Sequence, residues 1–308
     1  MLESVWVEEL DEAATREVRA LLLAVHAADG RPEVTEDGPL PFGAGLHLLG
    51  RIAGVLVGYA YLDTAGDSFG RPVAELFVHP AHRRQGFGTE LARALIAHAD
   101  SKLRVWSHGD HPGAARIAGH EGFGRDRELL ILHAAVEGAD WPEPVLPQGV
   151  SLRTFVPGQD EQAVIDVNAR AFDWHPEQGA LTVGELRATE EEDWFDADGF
   201  FLASAPAGAG GTDTADGRVL GFHWTKVHPA DPEAFGGEPV GEVYVVGVDP
   251  AAQGGGLGKA LTLAGLRYLR ERGLKQVILY VEGDNAPALT VYSRLGFTRY
   301  AVDVQYGR

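Results

Sequence analysis

The sequence contains no cysteine among its 308 residues. Disulfide bonds, thiolate metal sites and a cysteine nucleophile are therefore excluded. No apolar run approaches the roughly 20 residues that are needed to span a bilayer. The acidic start, MLESVWVEEL, lacks the basic and apolar regions of a signal peptide. We therefore expect a cytoplasmic protein without a membrane partner.

Basic residues are also scarce, since 26 Lys and Arg stand against 45 Asp and Glu, giving a net charge of −19. A nucleic-acid surface requires a basic face, so nucleic acid is not expected as a partner. Hydrophobic residues make up 45% and charged residues 23% of the chain, an ordinary globular composition. The length suits two domains. We expect a monomer that acts on a small molecule.

Two stretches of the chain follow the same plan. VAELFVHPAHRRQGFGTELARALIAHA, residues 73–99, and VYVVGVDPAAQGGGLGKALTL, residues 243–263, both place an apolar strand, a proline turn, glycines and an amphipathic helix in order. HEGFGRD (residues 120–126) and RLGFTRY (294–300) then follow in the same way. This predicts an internal duplication. The proline-rich stretch EGADWPEPVLPQGV between the copies predicts a linker, and we place the two domains at residues 1–145 and 146–308.

The glycine cluster of the second copy indicates an anion site. Glycines between a strand and a helix allow backbone amides to approach an anion, and the helix dipole adds positive potential. The ATP-type loop is excluded because Gln253 and Ala260 stand where that motif requires Gly and Ser or Thr. The dinucleotide motif is excluded because Lys259 stands at its last glycine. The alternative is a tight turn in which the glycines serve only sterics.

The spacing Gln253-Gly254-Gly255-Gly256-Leu257-Gly258 resembles the Q/R-x-x-G-x-G/A signature of the GNAT acetyltransferase superfamily, and residues 83–88 match it as well. YVEGDNAPALTVYSRLGF, residues 280–297, resembles the later signature of that family. The resemblance implies an α/β fold with two tandem GNAT domains, each a mixed, mostly antiparallel sheet flanked by helices. It also implies acetyl-CoA as co-substrate and no metal.

The resemblance assigns cofactor contacts in both halves. In the second half they are Val246, Gly247, Val248, Gln253, Gly254, Gly255, Gly256, Leu257, Gly258, Lys259, Asn285, Ala286, Pro287, Ala288, Leu289 and Thr290. In the first half they are Leu76, Phe77, Val78, Arg84, Gln85, Gly86, Phe87, Gly88 and Thr89.

Two catalytic residues are implied in the second half. Tyr292 stands where the family places a general acid for the leaving thiolate, and a phenol of pKa about 10 is protonated at neutral pH. Glu242, just ahead of the strand, is placed to take the amine proton. The matching positions of the first half are Ala118 and Pro72, which carry neither group. We therefore expect a first half that has kept the phosphate loop and lost the chemistry.

An intact second half behind a degenerate first half is similar to the tandem GNAT enzymes that acetylate the cysteinyl amine of a cysteine–glucosamine–inositol conjugate. The stretches AFDWHPEQG, WFDADGFFLA, GFHWTKVHP and GEVYVVGVDP carry this resemblance. It implies a thiol–sugar substrate and the substrate contacts Glu36, Glu177, Lys226, Glu242 and Tyr280. Carboxylates and a lysine suit hydroxyl groups and an ammonium group.

Two other functions stay open at this point. A tandem GNAT enzyme could acetylate another amine, such as an aminoglycoside or a peptide N-terminus. A non-catalytic regulator could bind acyl-CoA without turnover, although Glu242, Asn285 and Tyr292 together speak against it. The His79/His82 and His108/His111 pairs show no third convergent ligand, so no metal site is expected.

Overall fold

The computed structural model describes residues 2–31, 34, 36, 38–67, 69–99, 102–175, 178–205, 213–214, 217–231 and 235–308. Two compact units are formed. The first comprises Met1–Leu130, Glu282–Asp284 and Ala301–Arg308, and the second comprises Ile131–Val281 and Asn285–Tyr300. The domain boundary at residue 145 stays a prediction. Within the described residues, no helix combines the length and apolarity that a membrane span requires.

The described residues form both strands and helices. In order they are β1 (Glu3–Val7), α1 (Glu12–Asp29), β2 (Leu46–Ile52), β3 (Val55–Asp63), β4 (Val73–Val78), α2 (Phe87–Ala99), β5 (Arg104–Ser107), α3 (Pro112–Glu121), β6 (Gly124–Ala135), β7 (Ser151–Thr154), α4 (Glu161–Ala171), α5 (Val183–Glu190), β8 (Phe200–Ala205), β9 (Asp213–Thr214), β10 (Gly217–His228), β11 (Val240–Val248), α6 (Leu257–Glu271), β12 (Gln276–Glu282), α7 (Ala286–Arg294) and β13 (Thr298–Gly307).

Each unit contains a mixed sheet in which antiparallel pairs predominate. In the first unit the strand order is β1-β2-β3-β4-β5, followed by the end of β13; β4 and β5 pair in parallel, and the other neighbours in this order pair antiparallel. In the second unit the order is β7-β8-β10-β11-β12; β11 and β12 pair in parallel, and the other neighbours in this order pair antiparallel. The predicted α/β fold with mixed, mostly antiparallel sheets flanked by helices is confirmed.

The core of the second unit shows why helix α6 is held firmly against the sheet. His223 of β10 is fully buried, and its Nδ1 lies 2.7 Å from the Leu261 carbonyl of α6. Burial lowers the pKa of His223 to about 4, so the ring is neutral and Nδ1–H donates to the carbonyl. Gly265 has no room for a side chain, because a Cβ there would lie 2.1 Å from the ring. Histidine and glycine together therefore fix the distance between α6 and β10.

The two halves repeat the same local contacts at the strand–helix junction. Arg83 Nε donates to the Val78 carbonyl at 3.1 Å, and Gln253 Nε2 donates to the Val248 carbonyl at 3.2 Å. Gly86 has φ 94° and Gly256 has φ 84°, each just before its helix. The geometry therefore agrees with the duplication predicted from the sequence.

The predicted linker is anchored by Trp141. Its ring is 2% exposed, and its indole N–H donates to the Leu295 carbonyl at 2.9 Å. The Arg270 guanidinium lies 5.8 Å from the ring centroid. The linker stretch is therefore packed onto the second unit through a buried aromatic side chain.

We predict that Trp141→Ala lowers the free energy of unfolding by about 3–5 kcal/mol, because it leaves a cavity and an unpaired Leu295 carbonyl. Chemical denaturation followed by circular dichroism measures the change. The matched control is Trp174→Ala, at a ring that is 47% exposed. If both variants lose equally little stability, the linker is not anchored by this contact.

Candidate active site

The turn after β11 is built around Asp249. Its buried carboxylate accepts hydrogen bonds from the Ala251 amide at 2.9 Å, from Arg170 Nε at 2.9 Å and from Arg218 Nη2 at 2.8 Å. Burial alone would raise the pKa of Asp249, but these hydrogen bonds outweigh it and lower the pKa below its ordinary value. The carboxylate is thus fully neutralised by its partners, and it does not repel an anion at the adjoining loop.

The glycine loop between this turn and α6 presents backbone amides. Gly254 and Gly256 have φ of 87° and 84°, values that other residues rarely adopt. The amides of residues 254–259 have no hydrogen-bond acceptor among the described residues. A Cβ at Gly258 would meet only Val248, at an ordinary 3.7 Å. Packing within the described residues therefore leaves room for a side chain at Gly258.

Strands β11 and β12 part beside this loop. Their parallel pairing runs through Gly241–Val277, Glu242–Ile278 and Val243–Leu279, whereas β11 continues to Val248. On its other edge β11 stays paired with β10 as far as Val248. The split leaves a gap along Val246–Val248 that leads to the N-terminus of α6. Such a gap can hold an extended chain whose phosphates reach the loop.

Four predicted or neighbouring residues share one face of the sheet next to the split. Lys226 of β10 lies directly opposite Glu242 of β11, and Glu242 lies opposite Ile278 of β12. Because side chains alternate along a strand, Tyr280, two residues after Ile278, lies on this same face. Tyr244 stands at a bulge of β11 against β10, and its ring lies beside the Lys226 ammonium group. Gly241, the neighbour of Glu242, faces Leu269 and Leu274 instead. The structure thus brings the predicted Lys226, Glu242 and Tyr280 together.

Glu242 is a buried carboxylate with a histidine partner. It is 5% exposed, and its Oε2 lies 2.5 Å from His228 Nε2. Burial, together with the Glu242 charge, raises the pKa of the neighbouring Tyr244 above its ordinary value. A carboxylate held by one oxygen keeps its second oxygen for a further hydrogen bond.

Lys226 lies on aromatic rings. Its ammonium group is 4.3 Å from the Trp194 ring centroid and 5.3 Å from that of Tyr244. Cation–π contacts of this kind stabilise a cation by about 0.5–2 kcal/mol. The ammonium group is therefore directed by the rings, and the side chain in contact with the Glu242 carboxylate is that of His228.

Tyr292 lies on α7, the helix that follows the split. Asn285 caps this helix by accepting the Ala288 amide at 3.2 Å, as the predicted signature requires. The phenol ring is half-buried and packs edge-on against Phe297, with centroids 5.8 Å apart. Burial raises the pKa of Tyr292 to about 12, so the hydroxyl keeps its proton throughout the neutral range.

The first unit contains a cavity of about 490 Å³ at the matching position. It lies between the first glycine loop and the split of β4 and β5, whose pairing ends at Glu75–Trp106. The predicted contacts that line it are Leu76, Phe77, Val78, Arg84, Gly86, Phe87, Gly88 and Thr89. Ala118 also lines it, at the position of Tyr292. This cavity therefore has space for a ligand and carries alanine at the position of Tyr292, while Tyr306 of β13 lines another part of it.

A charged triad borders that cavity. His108 Nε2 lies 3.2 Å from Glu75 and its Nδ1 lies 3.1 Å from Asp303. Burial alone would lower the pKa of His108, but the hydrogen bonds to Asp303 and Glu75 outweigh it and raise the pKa to about 9. Asp303 also accepts the Gly109 amide at 2.9 Å. The triad ties β13 to β4 and the end of β5 within the first unit.

Two further predicted substrate contacts are Glu36 and Glu177. Glu36 lies in the first unit and is exposed, and Glu177 lies outside the described residues. Sequence reasoning missed His228, Tyr244 and Trp194, although each stands within a stretch that carried the resemblance. Among the described residues no group of three metal-binding side chains converges. The roles of all site residues stay predictions.

Comparison with known proteins identifies the relatives of the chain. The sequence profile of the Acetyltransferase (GNAT) family matches residues 11–124 and 169–297. The chain is 65% identical over 305 residues to a mycothiol acetyltransferase of Amycolatopsis mediterranei (strain U-32), covering 98% of both proteins. It is 47% identical over 304 residues to a mycothiol acetyltransferase of Streptomyces coelicolor, covering 97% of this chain and 93% of that protein.

Solved structures agree on the fold. A GCN5-related N-acetyltransferase from Sphaerobacter thermophilus aligns with TM-score 0.67 at 22% identity, covering 99% of this chain and 95% of the other. A tandem GNAT protein from the clavulanic acid biosynthesis pathway, solved without AcCoA, aligns with TM-score 0.63 at 22% identity, covering 100% and 98%. At such identities the likeness supports the tandem fold alone.

The triad predicts a pH-dependent stability. The pKa of His108 is raised in the folded protein, so its contribution is fully present below the unfolded value near 6.5 and is lost as pH rises through about 9. The relevant quantity is the difference in free energy of unfolding between the wild type and His108→Gln. We expect this difference to fall by on the order of 2–3 kcal/mol across this pH window. Urea denaturation at several pH values measures it. Parallel curves for the two proteins would contradict the charged state of His108.

Proposed function

Because this chain belongs to the mycothiol acetyltransferases of the GNAT family, enzymes that acetylate desacetylmycothiol to give mycothiol, we propose that its second unit carries out the transfer with Glu242 and Tyr292. The acetyl donor in this proposal is acetyl-CoA, the co-substrate that GNAT acetyltransferases use. One observation supports it above all. A buried carboxylate, Glu242, lies at the last paired residues before two parallel strands part beside a glycine-lined helix N-terminus.

The glycine loop and the split strands suit acetyl-CoA. The amides of residues 254–259 lack acceptors among the described residues and lie at the positive end of α6, an arrangement that binds a pyrophosphate. The split then receives the extended pantetheine arm along Val246–Val248. Backbone amides of this segment hold the thioester carbonyl and stabilise the negative charge that develops on its oxygen.

Two side chains handle protons at opposite ends of the reaction. Glu242 accepts a proton from the cysteinyl ammonium of the acceptor, so that the neutral amine attacks the thioester carbon. Tyr292 donates its phenolic proton to the sulfur as the carbon–sulfur bond breaks. The raised pKa of Tyr292, about 12, keeps the donor protonated at every pH at which the amine is reactive.

The acceptor is a polyol with one amine, and the face around Glu242 offers matching groups. Lys226, directed by Trp194 and Tyr244, can donate to sugar or inositol hydroxyls. Tyr280 adds a phenol at the edge of the split, and its ring is 36% exposed. By resemblance, Glu177 is proposed as a further contact.

We propose that the first unit binds acetyl-CoA without turning it over. Its loop residues and its split line a cavity of about 490 Å³. At the positions that match Tyr292 and Glu242 it has Ala118 and Pro72. The Ala118 methyl group cannot donate a proton, and the Pro72 carbonyl accepts a hydrogen bond from the Arg104 amide at 2.9 Å. A purely regulatory, non-catalytic protein is disfavoured because the second unit keeps Glu242 and Tyr292.

The substrate assignment predicts a strong preference for the conjugate. A site that hydrogen-bonds hydroxyl groups rejects analogues that lack them, because its polar groups are then left unpaired. Release of CoA should therefore be far faster with cysteinyl-glucosaminyl-inositol than with free cysteine, an aminoglycoside or a peptide. Lys226→Met should raise KM for the conjugate by about 10-fold or more and leave KM for acetyl-CoA unchanged. A faster reaction with one of the other amines, in direct competition, contradicts the assignment.

The general acid is tested by Tyr292→Phe, which removes one hydroxyl and keeps the ring against Phe297. We expect kcat to fall by roughly 10²–10⁴-fold, with KM for acetyl-CoA little changed. Tyr300→Phe, at an exposed ring, serves as the control. Near-normal kcat in the Tyr292 variant means that the tyrosine is structural and that the thiolate leaves unaided.

A further inference from the structure

His228 is the partner of Glu242, and nothing in the proposed chemistry has yet used it. It ends β10 and is followed by Pro229, so the strand cannot continue its pairing past this point. Its Nε2 lies 2.5 Å from Glu242 Oε2, the distance of a strong charge-assisted contact. The two side chains differ in their access to water, since the side chain of Glu242 is 7% exposed and that of His228 is 33% exposed.

The reaction must release one proton to solvent. The acceptor enters as an ammonium group, and its nitrogen loses two protons as the carbon–nitrogen bond forms and the carbon–sulfur bond breaks. One proton ends on the CoA sulfur, by way of Tyr292. The other is taken by Glu242 and has to leave before the next turnover. The Glu242 carboxyl group is buried on strand β11, so it has poor access to the water that would take up this proton.

We infer that His228 relays this proton from Glu242 to bulk water. The Glu242 carboxyl group passes its proton to Nε2 of the neutral ring, and the exposed part of the imidazolium releases a proton to solvent. Exchange of the ring with water restores the starting tautomer. After the transfer the ring donates its Nε2–H to Oε2 of the ionised carboxylate, and Oε1 has no hydrogen-bond partner among the described residues. The inference rests on the proposed role of Glu242 as the base.

The other charged and titratable groups on this face do not offer the same route. Lys226, which lies opposite Glu242, is directed onto Trp194 and Tyr244. Tyr244 has its pKa raised by burial and by the Glu242 charge, so it remains protonated and cannot accept a proton. Tyr280 of β12 is likewise a phenol. His228 is the remaining side chain of this group, and its Nε2 is in contact with the Glu242 carboxylate.

The experiment compares His228→Ala, His228→Gln and Glu242→Gln with the wild type, using the full chain, acetyl-CoA and the conjugate. We expect His228→Ala to lower kcat by about 10- to 100-fold, less than the loss of a general base would cause. Added imidazole should restore its rate in proportion to the concentration of the neutral base. His228→Gln, which can still donate to Oε2, should keep KM near normal and remain slow. His120→Ala, at an exposed histidine on α3, is the control that should leave the rate unchanged.

The outcomes separate the relay from the base. If Glu242→Gln stays active, the proposed base is wrong and the relay falls with it. If Glu242→Gln is inactive but His228→Gln matches the wild type, or imidazole fails to rescue a folded His228→Ala, then Glu242 is the base and the relay alone is wrong. The double variant should be no slower than Glu242→Gln, because both residues act on one proton. Circular dichroism of each variant establishes that it is folded.

Discussion

The separation of two parallel strands is the feature on which the site depends. While β11 and β12 pair, up to Val243 and Leu279, their amides and carbonyls bond each other. Once they part, β11 continues to Val248 with one edge open, and the chain then turns at Asp249 into glycines and the N-terminus of α6. The proposed catalytic carboxylate, the open strand edge and the amides proposed to bind the pyrophosphate are thereby placed in sequence along about one strand length. The buried contact between His223 and Gly265 holds α6 at the distance this arrangement requires.

The first unit repeats this geometry at residues that do not include the two proposed catalytic groups. β4 and β5 part after Glu75 and Trp106, Gly86 takes up a positive φ, and a cavity follows. Here the charged side chains are used differently. His108, 24% exposed, pairs with Glu75 and Asp303 and so stabilises the unit, whereas Glu242 in the second unit contacts a histidine that is 33% exposed. The carboxylates of the first unit are held by His108 and contribute to stability. In the proposed relay, the Glu242 carboxyl group passes a proton through its histidine to water.

Much of the fold and part of the candidate site could be predicted from local sequence. The remaining contacts depend on the register in which the strands pair. The glycine loops, the proline turns and the Asn285 cap follow from residues that are close in the chain. The contact between His228 and Glu242 requires the antiparallel register of β10 and β11, which no motif states. The His108 triad joins residues far apart in sequence, and its partner on β13 could not be found from spacing. Trp141 was read as part of an extended linker, and only its packing shows that it is an anchor.

The central claim is that the chain holds two acetyl-CoA sites and one working site. Equilibrium dialysis with labelled acetyl-CoA, followed by rapid mixing with excess conjugate and quenching within a single turnover, tests it directly. The account predicts two molecules bound per chain, one acetyl group transferred at the rate of kcat, and the second transferred only after it has dissociated and rebound. Transfer of both acetyl groups at the same fast rate, or binding of a single molecule, would contradict it.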